Sequence, residues 1–207
     1  MTDVADVAGP TSGPTLSPKG ERTRARLTEL AIDRFGSRGF RRTSVSEVAR
    51  AAGLTQAAVY AYCANKEELF QAAVDADAEA LLDQATARVR ETPIHSLVPA
   101  FIVHLFTALD DHPLARRVLA GQEPDVIARL VDLAALHRFS AQIAERIRTA
   151  QQAGEARTDV DPVVLAAGIE SLVLGILFST VQLGGLATRR HQDGVVAAFD
   201  ALLRPPT

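Results

Sequence analysis

Thr55, Gln56, Ala57 and Ala58 follow a glycine at 53 and precede Tyr60, Tyr62 and Lys66. A glutamine amide can pair bidentately with an adenine edge, and threonine and alanine methyls suit the thymine methyl. Hydroxyls and an ammonium group hold phosphates without reading sequence. This is chemistry for recognising duplex DNA. Residues for covalent chemistry are sparse. His95, His104, His112, His137 and His191 never stand four apart, and Cys63 is the one cysteine, so no zinc set forms. There is no glycine-rich phosphate loop after a strand and no serine elbow. No catalytic residue, metal or cofactor is expected, and the chain does not read as an enzyme.

The reading residues need two short helices joined by a tight turn. Ser44 precedes the first apolar position and Glu47 lies three residues on, a capping box that starts a helix. Val45, Val48, Ala49 and Ala52 then fall at i, i+3, i+4 and i+7, giving one apolar face. Gly53 can take the left-handed conformation that ends a helix. Thr55 caps a second helix through about Tyr62, which puts Gln56, Ala57 and Ala58 in its first turn. In a helix-turn-helix that turn reaches the base edges. Asn65 and Glu68 form another capping box, and Lys66 at that helix start makes a phosphate site. Upstream, Leu27, Leu30, Ala31 and Phe35 form a stripe on a helix of roughly residues 19–37, ended by Gly39 and Phe40.

Charge is divided unevenly. Residues 19–66 hold ten Lys/Arg and four acids, net +6, in a chain of net −3, so the remainder carries −9. A basic head on an acidic body fits phosphate binding at one end. A solvated charged helix on an ordinary bundle would show similar charge, but not the turn and the caps together.

The segment of about residues 22–70 resembles the amino-terminal domain of the tetracycline-repressor (TetR) family of bacterial transcription regulators. Phe35, Gly39, Phe40, Thr43, Ser44, Val48, Ala49, Ala52, Gly53, Thr55, Tyr60, Tyr62, Lys66, Glu68 and Leu69 carry the likeness in order and spacing. The resemblance implies an all-α homodimer: a three-helix helix-turn-helix domain, then a helical ligand-binding and dimerisation domain. It implies phosphate contacts at Thr43, Ser44, Tyr60, Tyr62 and Lys66, and base-facing positions at Thr55, Gln56, Ala57 and Ala58. It also implies release of DNA on ligand binding. Two departures stand out. Ala57 occupies a position that is often glycine, which adds a methyl to the reading surface. Cys63 occupies one that is usually aromatic, which predicts a looser or repacked head.

At 207 residues with 47% hydrophobic content, the chain can hold a small head and a larger body. Residues 1–18 read as a disordered extension without the charge or apolar run of a signal peptide. Residues 19–65 read as the DNA-binding domain and 66–207 as the body; one continuous helical domain is the alternative. The body's punctuation predicts helices from Lys66 to about Glu91, Pro93 to about Leu109, Pro113 to near Gly121, Pro124 to Gly154, Pro162 to about Leu183, and about Gln192 to Leu203. With the head this makes nine helices.

Residues 163–183 are apolar nearly all round and long enough to cross a bilayer. Glu170 within the run opposes that use, and Ser171, Ser179, Thr180 and Gln182 dilute it. A helix packed on its own core and on a partner is apolar on both sides. The resemblance places the last two helices in a dimer interface, here with Ala167, Gly168, Gly175, Val195, Phe199 and Leu202. It places the effector pocket among the fourth to eighth helices, with Phe101, His104, Leu105, Thr107, His137, Phe139 and Glu170 as candidates. For Phe101, Leu105 and Phe139 the plainer reading is core. No Trp or Tyr lies in the body, so a small, mostly apolar effector fits better than a cationic one.

The expectation is a cytoplasmic, ligand-responsive repressor that binds a palindromic operator as a dimer, with no membrane partner. The alternative is a small-molecule sequestering protein with a degenerate head, prompted by Ala57 and Cys63. Tyr62→Phe and Lys66→Ala should weaken binding to all duplexes, whereas Gln56→Ala should relax preference at one base position. Binding to a panel of single-base operator variants checks this. A uniform loss for Gln56→Ala would remove the base-contact assignment.

Overall fold

The computed structural model describes residues 17–127, 133–183 and 188–205. Among these the chain is all-α, with nine α-helices and no strand. They are α1 (Pro18–Arg38), α2 (Val45–Ala52), α3 (Gln56–Val59), α4 (Lys66–Arg88), α5 (Ile94–Ala108), α6 (Pro113–Leu119), α7 (Ala134–Gln152), α8 (Pro162–Gln182) and α9 (Arg189–Leu203). A 3₁₀ turn, Leu109–Asp111, joins α5 to α6.

Most boundaries follow local chemistry. The Ser17 hydroxyl accepts from the Gly20 amide, so α1 starts at Pro18, inside the stretch expected to be extension; residues 1–16 lie outside the described ones. Asp161 Oδ1 accepts from the amides of Val163 and Val164 and so starts α8. Pro93 is the residue before α5 rather than its first helical position.

The one large departure is the helix expected from Pro124 to Gly154. Leu133 has extended backbone with no side-chain cap, and α7 begins only at Ala134. The apolar spacing of Ala135, Leu136, Phe139, Ile143 and Ile147 belongs to α7 alone. The Gly184-Gly185 stop expected after α8 lies outside the described residues.

α1 packs on α2, α4 and α6; α4 on α5, α6 and α7; α7 on α8; and α5 on α9. One hydrophobic core runs from Leu27 in α1 to Leu203 in α9. Phe35, Phe40 and Phe70 knit α1, the turn after it and α4 together. The Phe35–Phe70 rings meet edge to face with centroids 5.0 Å apart, and Phe40 lies 5.0 Å from Phe70. α4 passes from this cluster into the body, burying a broad stripe from Leu69 and Phe70 to Ala85.

Polar groups fix the helices where they cross. Asp77 of α4 is buried, and its carboxylate accepts from the amides of Leu114 (3.0 Å) and Ala115 (2.8 Å) at the start of α6. The His112 ring nitrogen Nδ1 lies 2.8 Å from its other oxygen, and His112 Nε2 lies 3.0 Å from Gln84 Oε1. Elsewhere the Arg146 guanidinium donates to the carbonyls of Val89 and Thr92, which covers the C-terminal end of α4.

Asp77 thus holds α6 by two buried amides and by the Nδ1 edge of the His112 ring, whose Nε2 edge lies on Gln84. Asp77→Ala should lower unfolding free energy by about 3 kcal/mol, the cost of stranding a buried hydrogen-bonded network. Urea denaturation checks this, and a loss under 1 kcal/mol would contradict the role.

Candidate nucleic-acid interface

The capping box at α2 forms as its spacing predicts. The Ser44 hydroxyl accepts from the Glu47 amide (3.3 Å), and Glu47 Oε2 accepts from the Ser44 amide (2.9 Å). Glu47 Oε1 also takes the Arg38 guanidinium at 3.0 Å. The Ser44 amide, the Ser44 hydroxyl and the nearby cations of Arg38 and Arg50 hold the Glu47 carboxyl below its usual 4.5. Gly53 ends α2 with φ +71 and ψ +26, the left-handed geometry that a side chain would strain. The chain turns, and the Thr55 hydroxyl accepts from the Ala58 amide at 3.2 Å to start α3.

α3 is shorter than expected. It ends at Val59, and residues 60–62 continue as tight i→i+3 turns, with the Tyr62 amide donating to the Val59 carbonyl at 2.8 Å. Val59 points inward, fully buried, so the opposite side faces out. Thr55, Gln56, Ala57 and Tyr60 are exposed, and Ala58 is half-buried. The Gln56 amide donates to the Tyr60 hydroxyl at 3.2 Å, which orients the amide before any base arrives.

Beside this turn lies a cleft of about 350 Å³ lined by residues 41–46 together with Gln56, Tyr60 and Lys66. Lys66 Nζ sits 4.3 Å from the Phe40 ring centroid at the start of α4. Asn65 Oδ1 accepts from the Glu68 amide at 2.7 Å, while Glu68 Oε2 reaches back to the Ala64 amide rather than to Asn65. Cationic side chains and a helix amino terminus therefore face one hollow, an arrangement that takes a phosphate.

Arg41, Arg42 and Ser46 line the cleft without having been among the residues expected to meet DNA. The Arg-Arg pair directly before the capping box was the available signal. Thr43 corrects the expectation in the other direction. It is buried, and its hydroxyl donates to the carbonyls of Arg34 (3.1 Å) and Gly39 (3.0 Å), so the side chain locks the α1–α2 turn instead of facing a phosphate. Tyr62 is half-buried against the core. Cys63 is buried, with Sγ 3.6 Å from the Val59 carbonyl. Burial, and then the charge of Glu68, push its thiol upward, which disfavours the reactive thiolate.

The candidate effector residues do not gather around one hollow. Phe101 and Phe139 are buried and stacked on each other with centroids 4.2 Å apart, and Leu105 is fully buried beside them: all three are core. His137 is exposed, and His104 and Glu170 are half-buried away from any cavity described. Thr107 alone of the seven lines the large cleft of about 990 Å³, which lies between α5, the end of α8 and the start of α9. Its walls include Ile102, Val103, Phe106, Ile176 and Val196. Among the expected dimer residues, Ala167, Gly168 and Gly175 are exposed on α8, while Val195 and Leu202 are half-buried. Phe199 is buried inside its own chain, where α9 packs on α5, and so cannot face a partner.

A family profile described as bacterial regulatory proteins, tetR family, matches residues 27–73. Residues 27–73 are thus similar to the helix-turn-helix module of the TetR family. The match spans α2 and α3 with their caps and the turn between them, so this segment is a tetR-type DNA-binding helix-turn-helix. Likeness beyond the head is lower but continuous. The HTH-type transcriptional regulator UidR of Escherichia coli K12 is 26% identical over 171 residues, covering 78% of this chain and 83% of UidR. A TetR-family transcriptional regulator from Streptomyces coelicolor shares the fold with TM-score 0.63 and 23% identity, covering 88% of this chain and 80% of that one. The fatty acid degradation regulator FadR of Bacillus halodurans shares it with TM-score 0.63 and 16% identity, covering 91% and 96%.

The Glu47 carboxylate is held in its charged form by the cap. Its contribution to the head is therefore present above pH 4.5 and lost as pH falls through the lowered value. Carbon-detected titration of Glu47 should give a midpoint below 4.5, moving upward in Ser44→Ala. A midpoint unmoved by that substitution would show that the cap does not cause the shift.

Proposed function

We propose that this TetR-family regulator is a repressor that binds a palindromic operator as a dimer and is released by a small, mostly apolar effector. The observation that carries the proposal is the exposed first turn of α3 standing beside the cationic cleft. Thr55, Gln56, Ala57 and Ala58 face base edges, and Ser44, Tyr60, Tyr62 and Lys66 hold phosphates, joined by Arg41, Arg42 and Ser46. On this reading residues 19–65 form the DNA-binding head and residues 66–207 the responding body.

The surface of α8 supports the dimer. Its buried stripe, Leu165, Ala166, Ile169, Val173 and Leu177, packs toward α7. Only 28% of its most apolar 18-residue window is buried within the chain. The remaining face presents Val164, Ala167, Gly168, Leu172 and Gly175 to solvent. By length and composition α8 could also cross a membrane, but its inner stripe is already packed within a helical body. Small residues beside exposed Val and Leu let a second α8 approach closely. A twofold pair of heads then meets successive major-groove faces, about 34–36 Å apart.

The cleft between α5, α8 and α9 supports a mostly apolar effector, its walls of Ile102, Val103, Phe106, Ile176 and Val196 carrying polar groups at Thr107, Ser179, Thr180, His191, Gln192 and Asp193. An effector releases DNA when it binds better to a head spacing that does not fit the operator. The protein acts in the cytoplasm, where the buried thiol of Cys63 stays reduced.

Selection of duplexes from genomic fragments of the source organism, at physiological salt, should enrich one palindrome bound by two chains. Weak, uniform, strongly salt-dependent binding to every duplex would refute sequence-specific repression and favour the sequestering protein.

A further inference from the structure

The turn between α1 and α2, residues 39–44, supplies Arg41, Arg42, Thr43 and Ser44 to the lining of the phosphate cleft. Its shape is set partly from a distance. The Phe40 amide donates to Glu123 Oε1 at 3.1 Å, a bond between residues 83 positions apart. The same oxygen takes Arg117 Nε at 2.6 Å. Arg117 lies in the last turn of α6, and Glu123 lies just beyond that helix. Both side chains are largely buried, 20% and 11% exposed.

Three further observations tie this ion pair to the turn. Gly39 has φ +81, and a Cβ built there would stand 2.7 Å from Glu123 Oε1 and would also strike Arg117 Nη2. The carboxylate–guanidinium pair therefore lies directly on the glycine, which needs both the backbone freedom and the space. Phe40 holds Lys66 over its ring and accepts the Thr43 amide through its carbonyl. At the other end of α6, Pro113 packs on Gly36 of α1, where a Cβ would come within 3.0 Å of it.

We infer that Glu123, oriented by Arg117, is a positioning residue for DNA binding. It anchors the Phe40 amide and so sets the placement of Arg41, Arg42 and Lys66 around the phosphate cleft. The carboxylate touches no DNA on this reading. It links the end of α6, and thus the body, to the cleft. The inference rests on the assignment of that cleft to phosphate.

The test uses the full-length chain and a labelled duplex that the wild-type protein has selected from genomic fragments. Glu123→Ala should weaken binding about tenfold, as expected when a charge-assisted hydrogen bond that orders the binding surface is lost. Amide exchange at Phe40 should accelerate while Val48 and Val59, in the head core, stay protected. Glu123→Gln keeps an acceptor oxygen without the charge and should restore most of the affinity and the Phe40 protection. Affinity within twofold of wild type for Glu123→Ala, or Phe40 exchange unchanged, would overturn the assignment. If Glu123→Ala loses its helical circular dichroism, Glu123→Leu, of similar size but without an acceptor, decides in its place: faster Phe40 exchange together with about tenfold weaker binding would support it, and either value unmoved would overturn it. Should the wild-type chain select no duplex, the DNA reading fails, and Phe40 exchange in the two variants still reports whether the anchor exists.

Discussion

The arrangement of helices depends on how one buried carboxylate is satisfied. Asp77 sits in the middle of α4 and receives two amides from the first turn of α6, with the His112 ring on its other oxygen. A buried charge is tolerated only when its hydrogen-bonding capacity is filled, and here a helix amino terminus fills it. The requirement fixes α6 against α4. Because α6 also lies on α1 through Gly36, the same requirement fixes the first helix of the DNA-binding unit relative to the body. Apolar packing alone would permit several angles between these helices. The directional bonds select one.

Around that frame, the head separates two kinds of work. Val45, Val48, Val59 and the Phe35–Phe40–Phe70 cluster bury the inner faces of its helices, so the outer faces need not contribute to stability. Gln56, Ala57 and Tyr60 are therefore available to a ligand. The polar groups around the cleft are ordered by short local bonds: Glu47 to Ser44, Gln56 to Tyr60, Thr43 to the carbonyls of Arg34 and Gly39. Such ordering lowers the conformational entropy lost when DNA binds.

The body presents the opposite situation. α8 satisfies its backbone and one apolar stripe within the chain and leaves the other face uncovered. The cleft toward α9 opens beside that face, with Leu183 on its wall. A second copy set against α8 would cover apolar surface that the fold of one chain leaves in water, the driving force proportional to the area so removed. On the proposed reading, effector site and dimer seam would be neighbours, which would give a ligand mechanical access to the spacing of two heads.

The sequence by itself determined what short-range interactions decide. Ser44 with Glu47, Gly53, Thr55, Asn65 and Asp161 act on backbone groups within four residues, and each starts or ends a helix where its spacing predicts. The helix-turn-helix and the outward position of Gln56 follow from those signals and from Val59 pointing in. Tertiary structure decided what depends on residues far apart in the chain. Thr43 turns inward because two carbonyls meet there. Phe199 goes to the core because α9 lies on α5. Phe101 and Phe139 stack on each other rather than line a hollow, and the cleft opens toward α9 instead. The Glu123 anchor exists only because α6 is placed against the α1–α2 turn, whereas the Arg41-Arg42 pair stands in the sequence directly before the capping box. Periodicity shows that a face is apolar or that a residue can bond; which neighbour meets it is settled by the packing of the whole chain.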